Sequence, residues 1–220
     1  MKTFISFFFC CAPLNAIRIF LLRVFLGYDI DYKSKIGIFN SINCSSLKMR
    51  NAQIGFLNQI IVKDLNLSEK ASIKKLNRIK HLNLLDLGIN AEIRSGNFIG
   101  APIKGTIDDA IHFEKQNIYI GTSSSILRGN YFDVVEEIII GENVVFGGNG
   151  SEIWTHGFDV KRNMLVGNVI FGNDIFIGSN CIFTKGISIC NNVTIGPSTV
   201  VYKSIDEEGV YSSQKLYKVK

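Results

Sequence analysis

The chain has few cysteines and histidines, and neither type forms a cluster. The five cysteines, an odd number, stand at positions 10, 11, 44, 181 and 190, without the short spacings of zinc ligands. The three histidines, His81, His112 and His156, are also widely separated. This distribution argues against a metal site. It favours reduced, buried thiols in a cytoplasmic protein over disulfides.

Long apolar runs and long basic runs are absent as well. The apolar start stops at Pro13, and no small-residue cleavage site follows it, so it predicts neither an exported leader nor a transmembrane helix. The net charge is +5, and no run of lysine and arginine exceeds a pair. This mild balance argues against nucleic acid as a partner and allows anionic ligands or an anionic membrane surface.

What the sequence does have is a period of six. An aliphatic or aromatic residue recurs every six positions from Leu165 to Val201, and a small or β-branched residue follows each one four positions later. Neither a helix nor a half-buried strand has this period. It is typical of a parallel β-helix, in which each hexad forms a short strand and a turn and points one large side chain into a narrow core.

The same period runs through most of the preceding chain. Ile36, Ile42, Ile54 and Ile60 keep one phase, which slips near Leu67. The slips predict loops at residues 65–67, 104–117, 133–138 and 151–164, and such insertions often gather on the binding face of a repeat protein. The sequence therefore predicts an all-β protein. Its β-helix domain covers residues 30–205 with a loop insertion at 147–164, and a C-terminal extension covers residues 206–220.

Residues 1–29 are predicted to be helical. Apolar side chains after Asn15 share one helical face, and Gly27 ends the pattern. Two compatible roles are open for this segment. It can cap the open end of the β-helix, as solenoids require, or it can be a shallow anchor on a membrane surface.

The predicted insertion holds the chemically richest stretch of the chain. It combines four side chains between two regular repeats, namely Asn149, Trp154, His156 and Asp159. Violations of a fold pattern are where function is expected. Since His81 is expected to be a solvated turn residue and His112 a structural one, the third histidine is the candidate catalytic residue.

The hexads, and the Thr155-His156 pair before the regular repeats, resemble the bacterial hexapeptide-repeat acyltransferases that modify sugars of surface polysaccharides. The resemblance also rests on residues 120–133 and 140–148 and covers most of the chain. It implies a left-handed parallel β-helix with three faces and a homotrimer. It further implies transfer of an acetyl group from acetyl-coenzyme A to a sugar hydroxyl, with no metal and no serine or cysteine nucleophile.

The same resemblance assigns roles to individual residues. His156 becomes the general base, since a neutral imidazole can accept a proton from the attacking hydroxyl. Asp133 and Asp159 would orient the acceptor or the imidazole. Asn149 would contact the substrate, and Trp154 would stack on a sugar face.

Coenzyme A is expected in a groove between two neighbouring β-helices. The resemblance places Gly178, Ser179 and Gly196 along the pantetheine arm and a lysine, Lys203, near the phosphates. Further candidates for the phosphates are Lys185 and Lys218. Small residues let a ligand approach the backbone closely, although corner geometry alone would also explain both glycines.

Two alternatives to sugar O-acetylation remain open from the sequence. One is N-acetylation of an amino sugar, and the other is a non-catalytic β-helical binding or scaffold protein. Asn130 stands where many of the resembling enzymes carry an additional histidine, so a second catalytic histidine is absent and the acceptor is left open. The expected location is the cytoplasm, at the inner face of the membrane if the N-terminal segment is an anchor.

Overall fold

A computed structural model describes residues 2–102 and 112–213 as a parallel β-solenoid with two helices at its N-terminal end. The predicted fold class is therefore confirmed. Residues 103–111, which hold most of one predicted loop, and Lys218 lie outside the described residues. Each coil passes through three flat faces in turn, and the strands of these faces pair with the equivalent strands of the coils above and below.

The strands of the three faces follow one another along the chain. The first face contains Asp29–Ile30, Ser46–Met49, the second halves of Gln59–Leu67 and Arg78–Leu87, Asn117–Ile120, Ile138–Ile140, Val169–Phe171 and Ile187–Ile189. The second face contains Lys35–Ile36, Gln53–Ile54, Ser72–Lys75, Glu92–Ser95, Ser125–Ile126, Val145–Phe146, Phe176–Ile177, Val193–Ile195 and Gly209–Tyr211. The third face contains Ser41–Asn43, the first halves of Gln59–Leu67 and Arg78–Leu87, Phe98–Gly100, Tyr131–Asp133, Glu152–Trp154, Ile182–Phe183 and Val200–Val201. The start of the predicted C-terminal extension thus belongs to the second face.

The phase slip near Leu67 is not a loop, which corrects the prediction. Gln59–Leu67 and Arg78–Leu87 continue from the third face round the corner into the first. The register between these strands shifts by one residue, so that His81 is extra and adopts a positive φ of 59°. A β-bulge absorbs the additional residue without opening the solenoid.

The centre of the solenoid is apolar and changes composition along the axis. Isoleucine and leucine fill the coils before Gly100. Four fully buried phenylalanines meet edge to face in the later coils, with neighbouring ring centroids 5.0–6.0 Å apart: Phe132, Phe146, Phe171 and Phe183. The hexad positions therefore point inward as predicted.

A ladder of buried asparagines runs along the corner between the second and third faces. Asn40, Asn58, Asn77, Asn97 and Asn130 stand directly above one another. Each side-chain oxygen accepts the backbone N–H of the next residue up, and in the first four the amide nitrogen donates to a turn carbonyl. Asn130 thus belongs to this structural ladder, which continues in other residue types through Ser151.

Two helices, α1 (Lys2–Cys10) and α2 (Asn15–Leu26), close the N-terminal end of the solenoid. Cys10, Ile19 and Leu22 are fully buried against the first coil. Asn15 accepts the Ile36 N–H at 2.9 Å, and Arg18 donates to the carbonyl of the same residue at 2.7 Å. These contacts satisfy backbone groups that the first coil would otherwise leave open. Among the described residues, no helix is long and apolar enough to cross a bilayer.

The chain leaves the solenoid at one corner, between the third and first faces. Residues 134–137 and 155–168 both connect a third-face strand to the next first-face strand. The last of these forms an antiparallel hairpin of His156–Phe158 and Met164–Val166. Part of the predicted insertion, Glu152–Trp154, instead stays in the third face, because Ile153 points inward and its two neighbours point outward.

Candidate active site

The candidate site lies at the corner where the chain leaves the solenoid. Asp133 ends one third-face strand and stands beside Trp154, which ends the next. His156 follows as the first residue of the hairpin. Two rigid strands and a short hairpin thereby bring an acid and an imidazole together across a whole coil.

His156 and Asp133 form a hydrogen-bonded pair. The Nδ1 atom of the ring lies 2.7 Å from the Asp133 Oδ2 atom. The carboxylate side chain is only 7% exposed, and the imidazole is 18% exposed. We assign the proton to Nδ1 because a carboxylate accepts, which leaves the lone pair on Nε2 free to act. The hydrogen bond to Asp133 raises the pKa of His156 above its ordinary value, against the lowering effect of burial.

Thr155 holds this pair in place, although the sequence suggested no separate role for it. Its side chain is buried, and its hydroxyl donates to the Asp133 carbonyl at 2.8 Å. The same oxygen accepts the backbone N–H groups of Val135 at 2.8 Å and Glu136 at 3.1 Å. One hydroxyl therefore ties the His156 strand to the turn after Asp133. The signal in the sequence was the Thr-His pair itself.

A row of aromatic rings crosses the third face next to the pair. We call Phe98, Tyr131 and Trp154 the aromatic row. The first two rings are stacked at 4.9 Å, and the third ring centre lies 5.2 Å from the second. Trp154 then meets His156 edge to face at 6.2 Å, while its Nε1 donates to Glu152 at 2.8 Å. Half-exposed aromatic faces of this kind suit the apolar face of a ring-shaped ligand.

Asp159 has its hydrogen-bond partners within the hairpin, and its contact with an acceptor stays a prediction. It lies in the hairpin turn, where its carboxylate accepts the backbone N–H groups of Lys161 and Asn163 at 2.8 Å each. The Asn163 side chain also donates to it at 2.9 Å. These bonds lower the pKa of Asp159. The carboxylate thus shapes the hairpin, and among the described residues Asp133 is the acid bonded to the imidazole.

Asn149 lies at the opposite edge of the third face from His156. It has a positive φ of 69° and donates its backbone N–H to the Arg128 carbonyl at 2.7 Å. It borders a groove of about 620 Å³ together with Ser179 and three cations, Lys75, Arg94 and Arg128. We call these five residues the basic groove. The sequence did not indicate these three cations as a group, because they lie in separate coils and far apart along the chain.

The structure disperses the residues predicted to hold coenzyme A. The Gly178 and Gly196 N–H groups already donate to Ile195 and Tyr211 of the next coil. A Cβ on Gly178 would lie 2.6 Å from the Pro197 nitrogen, so close packing of coils requires this glycine. Both glycine amides are thus used between coils, and the contact of these residues with the pantetheine arm stays a prediction.

The remaining three predicted coenzyme contacts that the structure describes lie apart from one another. Ser179 is in the basic groove. Lys185 lies beside the hairpin, with its Cε 3.6 Å from where a Cβ on Gly157 would stand. Lys203 is exposed and borders a groove of about 570 Å³ near residues 199–205 and 211–213.

The repeat region matches the model of a known protein family. The family model "Hexapeptide repeat of succinyl-transferase" matches residues 137–171 and 168–203. These are the most regular coils, together with the hairpin between them. The chain therefore carries hexapeptide repeats of the kind found in acyltransferases.

Similar solved structures are distant. The polySia-specific acetyltransferase NeuO is 15% identical over 85% of this chain and 83% of its own, with a TM-score of 0.49. A hexapeptide-repeat acetyltransferase from Vibrio cholerae O1 biovar eltor, crystallised with acetyl-coenzyme A, is 13% identical over 96% and 80%, with a TM-score of 0.43. A maltose O-acetyltransferase from Clostridium difficile 630 is 22% identical over 59% and 62%, with a TM-score of 0.42. These likenesses are too distant to assign residues or substrates.

Proposed function

We propose that this protein transfers an acetyl group from acetyl-coenzyme A to a hydroxyl of a saccharide used in cell-surface polysaccharide synthesis, with His156 as the general base. The observation that carries the proposal is the His156–Asp133 pair beside the aromatic row. The hexapeptide repeat of residues 137–203 supports acyl transfer as the reaction class.

The pair supplies the proton transfer that such a reaction needs. His156 Nε2 accepts the proton of the acceptor hydroxyl while its oxygen attacks the thioester carbonyl. The new carbon–oxygen bond forms, the carbon–sulfur bond breaks, and the imidazolium returns the proton to the departing sulfur. Asp133 stabilises the positive ring in between and keeps Nε2 directed outward. The thioester is already activated, so no protein nucleophile is required.

The acetyl donor would lie between this solenoid and a second copy, and we propose a homotrimer for this reason. Two side chains on the hairpin support an interface, since Phe158 is 58% exposed and Val160 is fully exposed. A two-stranded hairpin has little stability of its own, and a neighbouring copy would cover it. Sedimentation should give three times the chain mass, and a fully active monomer would contradict the trimer.

The experiment that tests the function is an acetyl-coenzyme A assay against a panel of neutral, amino and phosphorylated sugars. His156→Ala should reduce turnover by about 10²- to 10⁴-fold, the usual contribution of a general base. Mass spectrometry of the product separates acetylation at oxygen from acetylation at nitrogen. Unchanged turnover in the variant would remove His156 as the base, and absence of donor binding would favour a scaffold.

We also propose that the outer side of the helical cap contacts the inner face of the membrane, which would place this otherwise cytoplasmic enzyme near its acceptor. Phe4, Phe8, Phe20 and Phe25 are 70%, 57%, 52% and 64% exposed there. Residues 2–28 contain no acidic side chain, so an anionic bilayer meets no repulsion.

Vesicle binding tests this contact. Phe8→Ser with Phe25→Ser should reduce cosedimentation with anionic vesicles. Phe176→Ser, at an equally exposed position of the second face, should leave it unchanged. Equal binding of all three proteins would limit the helices to capping.

A further inference from the structure

The basic groove has the composition of an anion site. Among the described residues, Lys75 and Arg128 form no ion pair, while Arg94 donates to Glu92 at 2.5 Å. Asn149 and Ser179 add neutral hydrogen-bonding groups at the rim. The volume of about 620 Å³ is that of a small-molecule site. Guanidinium groups bind phosphate through paired, charge-assisted hydrogen bonds, so phosphate suits this lining better than a neutral sugar.

The groove and the catalytic pair belong to the same two coils. In one coil Arg128 precedes Tyr131 and Asp133, and in the next Asn149 precedes Trp154 and His156. Five residues of extended chain span at most roughly 17 Å. The aromatic row lies between the groove at one edge of the third face and the imidazole at the other. A ligand lying across this face can therefore contact the basic groove, the aromatic row and the imidazole.

We propose that the basic groove binds the phosphate groups of the acceptor, which is then a sugar carried on a phosphate or diphosphate. Its sugar ring lies on Tyr131 and Trp154, and one hydroxyl reaches His156. This inference rests on the proposed acetyl transfer and names its substrate class. The acceptor is a phosphate-linked precursor in place of a finished neutral polysaccharide.

Direct binding tests the groove without any turnover. Trp154 is the only tryptophan of the chain and reports on the third face through its fluorescence. Titration with inorganic pyrophosphate should change this fluorescence saturably, and more weakly at high salt. Arg128→Gln should weaken binding by about 10-fold or more, since one charge-assisted contact is lost.

A matched control is Lys48→Gln, which removes the same unit of charge from an exposed site on the first face. It should leave pyrophosphate binding unchanged. Equal affinity of Arg128→Gln and the unmodified protein would overturn the proposal, as would an equal loss in both variants. Because this measurement needs no acetyl transfer, it remains decisive even if His156 proves not to be a base.

The phosphates of coenzyme A are the other possible source of anions, and inhibition kinetics distinguish the two. Pyrophosphate should compete with whichever acceptor the sugar panel identifies and should not compete with acetyl-coenzyme A. Arg94→Gln and Arg128→Gln should raise the KM of the acceptor and leave that of the donor unchanged. A raised KM for acetyl-coenzyme A alone would assign the groove to the donor and overturn the proposal.

Discussion

Between Asp29 and Gly100 the solenoid core consists mainly of isoleucine and leucine. Buried asparagines connect successive coils at the corner between the second and third faces. Beyond Asn117 the core holds four phenylalanines, and the corner ladder passes to Ser151 and smaller hydrogen-bonding groups. The candidate pair lies only in the second region. The inward hexads continue beneath it, with Phe132 and Ile153 buried under Asp133 and Trp154. The candidate site residues thus occupy outward positions and one corner, and the apolar core beneath them is continuous.

Among variants that keep the imidazole, the largest effect is expected from removing the charge that orients it. Asp133→Asn should lower kcat by about 10²- to 10³-fold, because the ring loses its preferred tautomer and the stabilisation of its charged form. Asp86→Asn, a half-buried acid in the regular region, should stay within about twofold of the unmodified enzyme.

The pH profile of the same variant gives an independent check. A base must be neutral, so activity falls below the pKa of His156, which Asp133 raises. Removing the carboxylate should lower that pKa and move the acid limb of kcat/KM to lower pH. An acid limb that stays in place would contradict the assignment of the pair.

The asparagine part of the corner ladder should contribute more to the free energy of unfolding than the later part, which contains Ser151. Asn77 is fully buried, donates to Asn58 and Arg94, and accepts two bonds from Asn97. Asn77→Ala leaves several of these partners unsatisfied and should cost about 3 kcal/mol. Ser151→Ala loses two bonds, to Gly178 and Cys181, and should cost about 1 kcal/mol.

Guanidinium denaturation followed by circular dichroism measures both. The midpoint of Asn77→Ala should fall clearly below that of Ser151→Ala. Equal midpoints, or the reverse order, would mean that the asparagine ladder adds no special stability to the regular coils.

A smaller effect is expected from the aromatic row. Trp154→Ala should raise the KM of the saccharide acceptor by about 5- to 10-fold, the loss of one stacking contact, with less change in kcat. Tyr32→Ala removes an exposed ring from the regular region, where it is 63% exposed, and should not change the KM. A larger loss in kcat than in affinity would show that the indole acts mainly by positioning His156.

The smallest expected effect is a difference in pKa between two histidines, which is measured without an activity assay. Burial and Lys80 lower the pKa of His81 in the regular region, whereas Asp133 raises that of His156. In an NMR titration of the folded protein, His81 should therefore lose its proton at lower pH than His156. Signals are assigned with His81→Asn, whose asparagine tolerates the left-handed backbone there. The opposite order of titration would contradict the geometry of the pair.

The six-residue period predicted the solenoid because each hexad encodes its own strand, corner and inward side chain. The same pattern singled out His156, since an imidazole and an indole interrupt it together. The pattern failed where one extra residue could be absorbed locally. The slip near Leu67 falls inside the unbroken strand Gln59–Leu67 and is no loop. The next strand takes in one further residue, His81, as a β-bulge.

The roles of individual acids and glycines could not be read from the period. Asp133 and Asp159 were equivalent candidates, and only the coil register brings the first within 2.7 Å of the ring. Gly178 suited both a ligand contact and a tight corner, and the neighbouring Pro197 backbone shows that the corner alone requires a glycine there.

The sequence by itself determined the repeat, the apolar core and the one histidine that breaks the pattern, because these depend on residues a few positions apart. Tertiary structure decided which groups meet across coils. The chain travels 23 residues between Asp133 and His156, and the basic groove draws Lys75, Arg94 and Arg128 from three coils. Variable connections separate these residues, so their alignment depends on how the coils stack, and no local pattern encodes it.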